Sequence, residues 1–114
     1  MLRSWTRSKE TQLTMEGRFE IVIYRLKPDV DRSRFLEISN RATEWLRQRP
    51  GYLGRELLED ESGQWVDLVR WATMDDALAA ASAFMDVPEA AAFMDAVEQE
   101  SITMLHPRSV VNYN

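Results

Sequence analysis

Residues 18–27 read Arg-Phe-Glu-Ile-Val-Ile-Tyr-Arg-Leu-Lys, a stretch that is apolar at both parities. In an extended strand, successive side chains point to opposite faces. Phe19, Ile21 and Ile23 therefore point one way, and Val22, Tyr24 and Leu26 the other. Pro28 stops the strand because it lacks the amide that a sheet interior uses. Outward from this strand, the chain reads strand, helix, strand, strand, helix, strand. Two helices suffice to cover one face of the resulting four-stranded sheet. The other apolar face needs a partner, and a second copy of the same sheet provides one. The expectation is a homodimer joined through the sheet face, with a small-molecule pocket.

At 114 residues the chain is one domain, long enough for a core without disulfide staples. Its 45% hydrophobic and 29% charged content is that of a folded protein rather than a disordered one. No apolar run approaches the roughly 20 residues of a bilayer span, so no membrane partner is expected. Cysteine is absent, which removes thiolate chemistry and is compatible with a reducing compartment. A net charge of -5 argues against nucleic acid, whose phosphates call for a basic face. A soluble, cytoplasmic protein is the default. Residues 1–17 lack the apolar centre of a signal peptide and read as a flexible tail, with Trp5 packing somewhere. Met15 stands as a second candidate start.

Asp29 or Asp31 caps the first helix, and Phe35, Ile38, Ala42, Trp45 and Leu46 recur at three- and four-residue spacing on its inner face. Pro50-Gly51 stops it. Strand two is Tyr52–Asp60 and strand three Gln64–Ala72. Thr73 caps the second helix, with Asp76 three residues on; Ala77, Leu78, Ala81, Phe84 and Met85 form its inward stripe. Pro88 interrupts that helix, and its second piece turns Ala92, Phe93, Ala96 and Val97 inward. Strand four is Ser101–His106, closed by Pro107. The domain spans 18–107, followed by a C-terminal tail, 108–114. The fold class is α+β: a ferredoxin-like βαββαβ unit with a four-stranded antiparallel sheet.

A two-residue turn at Ser62-Gly63 sets Leu58 opposite Asp67, Glu56 opposite Val69, and Gly54 opposite Trp71. Tyr52, Trp65, Asp67, Val69 and Trp71 then share one face, and Arg55 and Arg70 meet on the other. Facing like charges destabilise a sheet, so the two arginines are expected to share a carboxylate, with Glu20 the candidate.

The strand end Val69-Arg70-Trp71, the alanine-rich helix from Asp75, the break at Pro88 and then Ala92-Phe93-Met94-Asp95-Ala96-Val97 resemble the antibiotic biosynthesis monooxygenase family. Lys27-Pro28-Asp29 after the opening strand is similar too. The resemblance covers about residues 18–106. It implies a dimeric α+β barrel, two sheets face to face across a two-fold axis, with one pocket per subunit between sheet and helices. Its members include cofactor-independent oxygenases of phenols and quinols and haem-degrading enzymes. The haem-degrading pattern is missing here. Strand one has no asparagine, and 75–97 holds neither histidine nor tryptophan. Quinol-oxidising members often carry a histidine beside the second-helix proline, where this chain has Glu89.

His106 is the sole histidine, so no multi-histidine metal site can form, and neither metal nor cofactor is expected. Its ordinary pKa near 6.5 suits a base that takes a phenolic proton; a surface histidine before a proline is the equal alternative. Asp67, mid-strand between apolar neighbours, either orients His106 or holds a substrate hydroxyl, or else pairs with an arginine across the dimer interface, the last being favoured. Trp65, Trp71 and Tyr52 form either an aromatic wall for a planar ligand or, more often in proteins at large, plain core. Tyr24 and Arg25 straddle the two faces, so one of them looks into the pocket. The leading function is a cofactor-independent monooxygenase acting on a small phenolic or quinol compound, through His106 and Asp67. A non-catalytic small-molecule binder, or an isomerase, decarboxylase or cyclase, stands beside it.

Overall fold

The computed structural model describes residues 17–114. The expectations placed on residues 1–16, including the packing of Trp5, lie outside the described residues. Strand β1 (Arg18–Arg25) leads to helix α1 (Arg32–Leu46), then the hairpin β2 (Tyr52–Glu59) and β3 (Gln64–Trp71). Two helices, α2 (Met74–Phe84) and α3 (Pro88–Ala96), a 3-10 turn (Gln99–Ser101) and a short β4 (Thr103–Leu105) complete the unit. The sheet order is β2-β3-β1-β4, antiparallel at every contact. This is the expected ferredoxin-like α+β arrangement.

The local stops and starts follow side-chain chemistry. Asp31 caps α1 by accepting the Arg34 amide at 3.2 Å, and the Thr73 hydroxyl caps α2 by accepting the Asp76 amide at 3.0 Å. Pro88 occupies the first turn of α3, where its missing amide costs nothing. Gly51 turns the chain out of α1 at φ +79°, a left-handed conformation that a side chain would strain. Of the expected inward stripe of α2, Ala77 is buried, joined by Ala80, whereas Leu78 and Met85 are 50% and 63% exposed. The break at Pro88 bends the two helices by 83°. No single helix among the described residues is long and apolar enough to cross a membrane.

The hairpin register departs from the two-residue turn. Leu57 lies opposite Asp67, Arg55 opposite Val69, and Gly54 opposite Arg70, with an irregularity at Leu53. The loop holds three residues, Glu61, Ser62 and Gly63, between Asp60 and Gln64, whose backbones bond at 2.9 Å. Asp60 Oδ1 gathers the Ser62 and Gln64 amides at 2.9 and 3.0 Å, and Gly63 takes φ +85°. One residue of slip flips the β2 side chains from Gly54 onward to the other face, while the irregularity at Leu53 keeps Tyr52 beside Trp71. Arg55 thereby moves to the helix side, away from Arg70.

The helix-facing layer holds two clusters. Tyr24, Phe35, Ile38, Trp65, Ala96 and Val97 form one; Val69, Trp71, Ala77 and Ala80 form the other. The opposite face presents Phe19, Ile21 and Ile23 of β1 and Val66 and Leu68 of β3, all half-buried. Leu58 and Leu105 on its flanking strands are 43% and 48% exposed.

Candidate active site

A cavity of about 270 Å³ lies between the second cluster and the helices. Its sheet floor comprises Glu20 and Val22 of β1, Arg55 of β2, and Asp67, Val69 and Trp71 of β3. Ala42, Leu46, Ala80, Phe84 and Phe93 close it from the helices, and Met85, Met94 and Met104 also line it. The small alanines leave the volume open; the rest of the lining is apolar.

Three charged side chains interrupt that surface. Arg55 donates from Nε to Asp67 Oδ1 at 2.9 Å and from Nη2 to Oδ2 at 2.6 Å, a two-pronged ion pair with both side chains at most 10% exposed. Nη1 of Arg55 also donates to the Ser39 carbonyl at 2.8 Å and the Thr43 hydroxyl at 2.6 Å, which ties α1 to the sheet. Asp67 therefore pairs with an arginine of its own chain, not one across an interface, and Glu20 serves neither Arg55 nor Arg70.

Glu20 pairs instead with His106, Oε2 to Nε2, at 3.2 Å. The register of β1 with β4 sets Ile21 against Leu105, and one step further brings His106 opposite Glu20. Burial pushes the Glu20 carboxyl above its ordinary 4.5; the His106 contact opposes this and the Asp67 charge adds to it. His106 itself stands behind Glu20 and does not line the cavity.

The other expected site residues separate. Trp71 lines the cavity, and its buried indole N–H has no hydrogen-bond partner. Tyr52 packs edge-on against Trp71, ring centres 5.9 Å apart, outside the lining. Trp65 stacks edge-on with Phe35 at 5.0 Å in the first cluster. Tyr24 is fully buried there, its hydroxyl near Asp67 without hydrogen-bond geometry, and burial drives its phenol far above the usual range. Arg25 is exposed and holds the hairpin loop by donating to the Ser62 carbonyl at 2.7 Å. Of the pair Tyr24 and Arg25, neither enters the cavity.

Sequence reading passed over Glu20 and Arg55 as site residues. Glu20 carried a signal: it shares parity with Val22 and Tyr24, so a carboxylate sits on the buried face of strand one. Arg55 carried none, because its face depended on the turn. No group of three or more His, Cys, Asp or Glu among the described residues could hold a metal ion.

No family model and no curated protein matches the sequence. Solved structures do. A proposed antibiotic biosynthesis monooxygenase from Nitrosomonas europaea superposes with a TM-score of 0.65 at 17% identity, over 83% of this chain and 91% of that one. The chain shares the fold of the antibiotic biosynthesis monooxygenases. SnoaB, a cofactor-independent oxygenase from Streptomyces nogalater, aligns at 14% identity with a TM-score of 0.61, over 87% of this chain and 96% of that one. A hydroxynitrile lyase from Passiflora edulis aligns at 17% identity with a TM-score of 0.63, over 88% of this chain and 99% of that one. An oxygenase and a lyase on one fold leave the reaction to the site itself.

Proposed function

We propose that the chain is a cofactor-independent oxygenase-type enzyme that ionises a small phenolic or quinol substrate and passes the anion to dioxygen. The observation that carries this reading is the half-buried Glu20 carboxylate on the cavity floor, paired with His106 at 3.2 Å. Glu20, the member that lines the cavity, accepts the phenolic proton, and His106 steadies its charge from behind. Asp67, expected beside His106 as the base, is occupied by Arg55 and serves to position that residue. At about 270 Å³ the cavity lies just below the roughly 300–1,000 Å³ of drug-sized sites, which limits the ligand to a small ring system.

The electrons come from the substrate. In the oxidation of a phenol to a quinone, one atom of dioxygen becomes the new ring carbonyl. The other leaves as water with the phenolic hydrogen and the displaced ring hydrogen. Exclusion of water by the apolar walls protects the phenolate until oxygen meets it. The working unit is a homodimer joined through the outer sheet face, where Phe19, Ile21, Ile23, Val66 and Leu68 await cover.

A second reading rests on the same pair. Proton removal from a hydroxyl is also what a hydroxynitrile lyase needs, and one such enzyme has this fold. An oxygen electrode decides between them. Oxygen consumption matched by quinone formation from a panel of phenols and quinols supports the oxygenase. Cyanide release from an aromatic cyanohydrin without oxygen consumption establishes the lyase, and binding with neither leaves a ligand carrier.

A further inference from the structure

A row of four residues crosses the sheet, and three of them, Arg55, Val69 and Glu20, line the cavity. Arg55 and Glu20 both lie opposite Val69, on its two sides, and His106 follows Glu20 one residue past the end of β4. The row therefore reads Arg55, Val69, Glu20, His106 across the sheet. Backbones two strands apart are about 9.5 Å apart, so Arg55 and Glu20 enter the cavity lining from strands on either side of Val69.

The two residues differ in chemistry. A guanidinium has five N–H donors, and four of those on Arg55 are used: Nε and one of Nη2 by Asp67, and both of Nη1 by Ser39 and Thr43. The second hydrogen of Nη2 is left, on a residue that lines the cavity. Asp67 and Thr43 hold the guanidinium in place, so this donor is fixed before any ligand arrives. Glu20, by contrast, is an acceptor. A hydroxyl fits Glu20; a carbonyl or ether oxygen fits Arg55.

We infer that Arg55 is a specificity-determining residue and that the cavity selects rings carrying oxygen at both ends, a hydroxyl toward Glu20 and an acceptor oxygen toward Arg55. Asp67 is the positioning residue that holds Arg55 for this task. The inference deepens the proposed function and rests on it for the placement of the hydroxyl at Glu20. A hydrogen bond to a charged donor, lost when the ligand has no acceptor, is worth about tenfold or more in affinity.

The test is calorimetric binding under argon with three probes: 4-hydroxyacetophenone, 3-hydroxyacetophenone and 4-ethylphenol. The wild-type protein is expected to bind the first about tenfold more tightly than the other two. Replacing the pair together, Arg55→Met with Asp67→Leu, avoids leaving a buried carboxylate unpaired and is expected to abolish that preference, so that the two acetophenones and 4-ethylphenol bind the variant alike. Equal affinity of the wild type for all three probes, a preference that survives in the double variant, or failure of every probe to bind overturns the inference. Argon separates the two claims. A preference with no later oxygen consumption or cyanide release retires the enzyme reading alone, and turnover without a preference retires the role of Arg55 alone.

Discussion

The Asp67 carboxylate and the Arg55 guanidinium meet through two parallel hydrogen bonds, 2.9 and 2.6 Å long, in the interior of the sheet–helix layer. This pair closes one end of the cavity and fastens α1 to β2 through Ser39 and Thr43. Removing one member leaves a buried charge without its partner, which typically costs about 3–5 kcal/mol. Arg55→Met alone is thus expected to lower stability by about that amount, and Arg55→Met with Asp67→Leu to recover most of it. Urea unfolding of the three proteins measures both values. A single variant as stable as the wild type would show that the pair contributes little to the fold.

Glu20 sets the pH behaviour. Its folded-state pKa lies above the ordinary 4.5, so at low pH both folded and unfolded chains carry the proton. As pH rises past 4.5 the unfolded chain ionises first, and the folded state loses stability until its own Glu20 ionises. The wild type is therefore expected to lose stability relative to Glu20→Gln across an interval beginning near pH 4.5. Denaturation of both proteins in steps from acid to neutral pH reads this difference, and parallel curves would contradict a raised Glu20.

Turnover should follow the same group in the opposite sense. The proposed proton acceptor works only when ionised, so kcat/KM rises with pH through that interval. Glu20→Gln is expected to reduce it about 100-fold or more and to flatten the profile. His106→Ala keeps the acceptor and removes its support, so it should show a smaller loss with a displaced midpoint. Unchanged turnover in Glu20→Gln would dismiss Glu20 as the base.

The outer sheet face calls for sedimentation. The wild-type chain is expected at about twice its 13.3 kDa mass at micromolar concentration, and Leu68→Asp at the monomer mass. A wild-type monomer would leave the apolar face without its proposed cover.

Gly51 gives a test of the fold alone. Its φ of +79° disfavours any side chain, and a Cβ there would strike the Asp76 carboxylate at the start of α2. Gly51→Ala is expected to cost about 1–3 kcal/mol, read as a lower urea midpoint with ligand affinity kept. A neutral substitution would mean that the turn relaxes freely.

Much of the fold was legible residue by residue. The alternation of Phe19 to Tyr24, the caps at Asp31 and Thr73, and the breaks at Pro50-Gly51 and Pro88 act over a few residues, where local backbone chemistry decides. The amino-acid sequence by itself determined the order of elements, the two-faced strand one and the antiparallel α+β class. The hairpin register lay beyond it, because Gln64 could pair with Glu61 across a loop of two residues or with Asp60 across one of three, and each choice sends Arg55 to a different face. Only the tertiary structure chose three, and so put Arg55 on Asp67. It alone also brought Glu20 to His106, 86 positions along the chain, since β4 finds β1 through packing rather than through any local signal. The site is made of side chains from three strands and the residue after β4, and a row across a sheet exists only once the strands have paired.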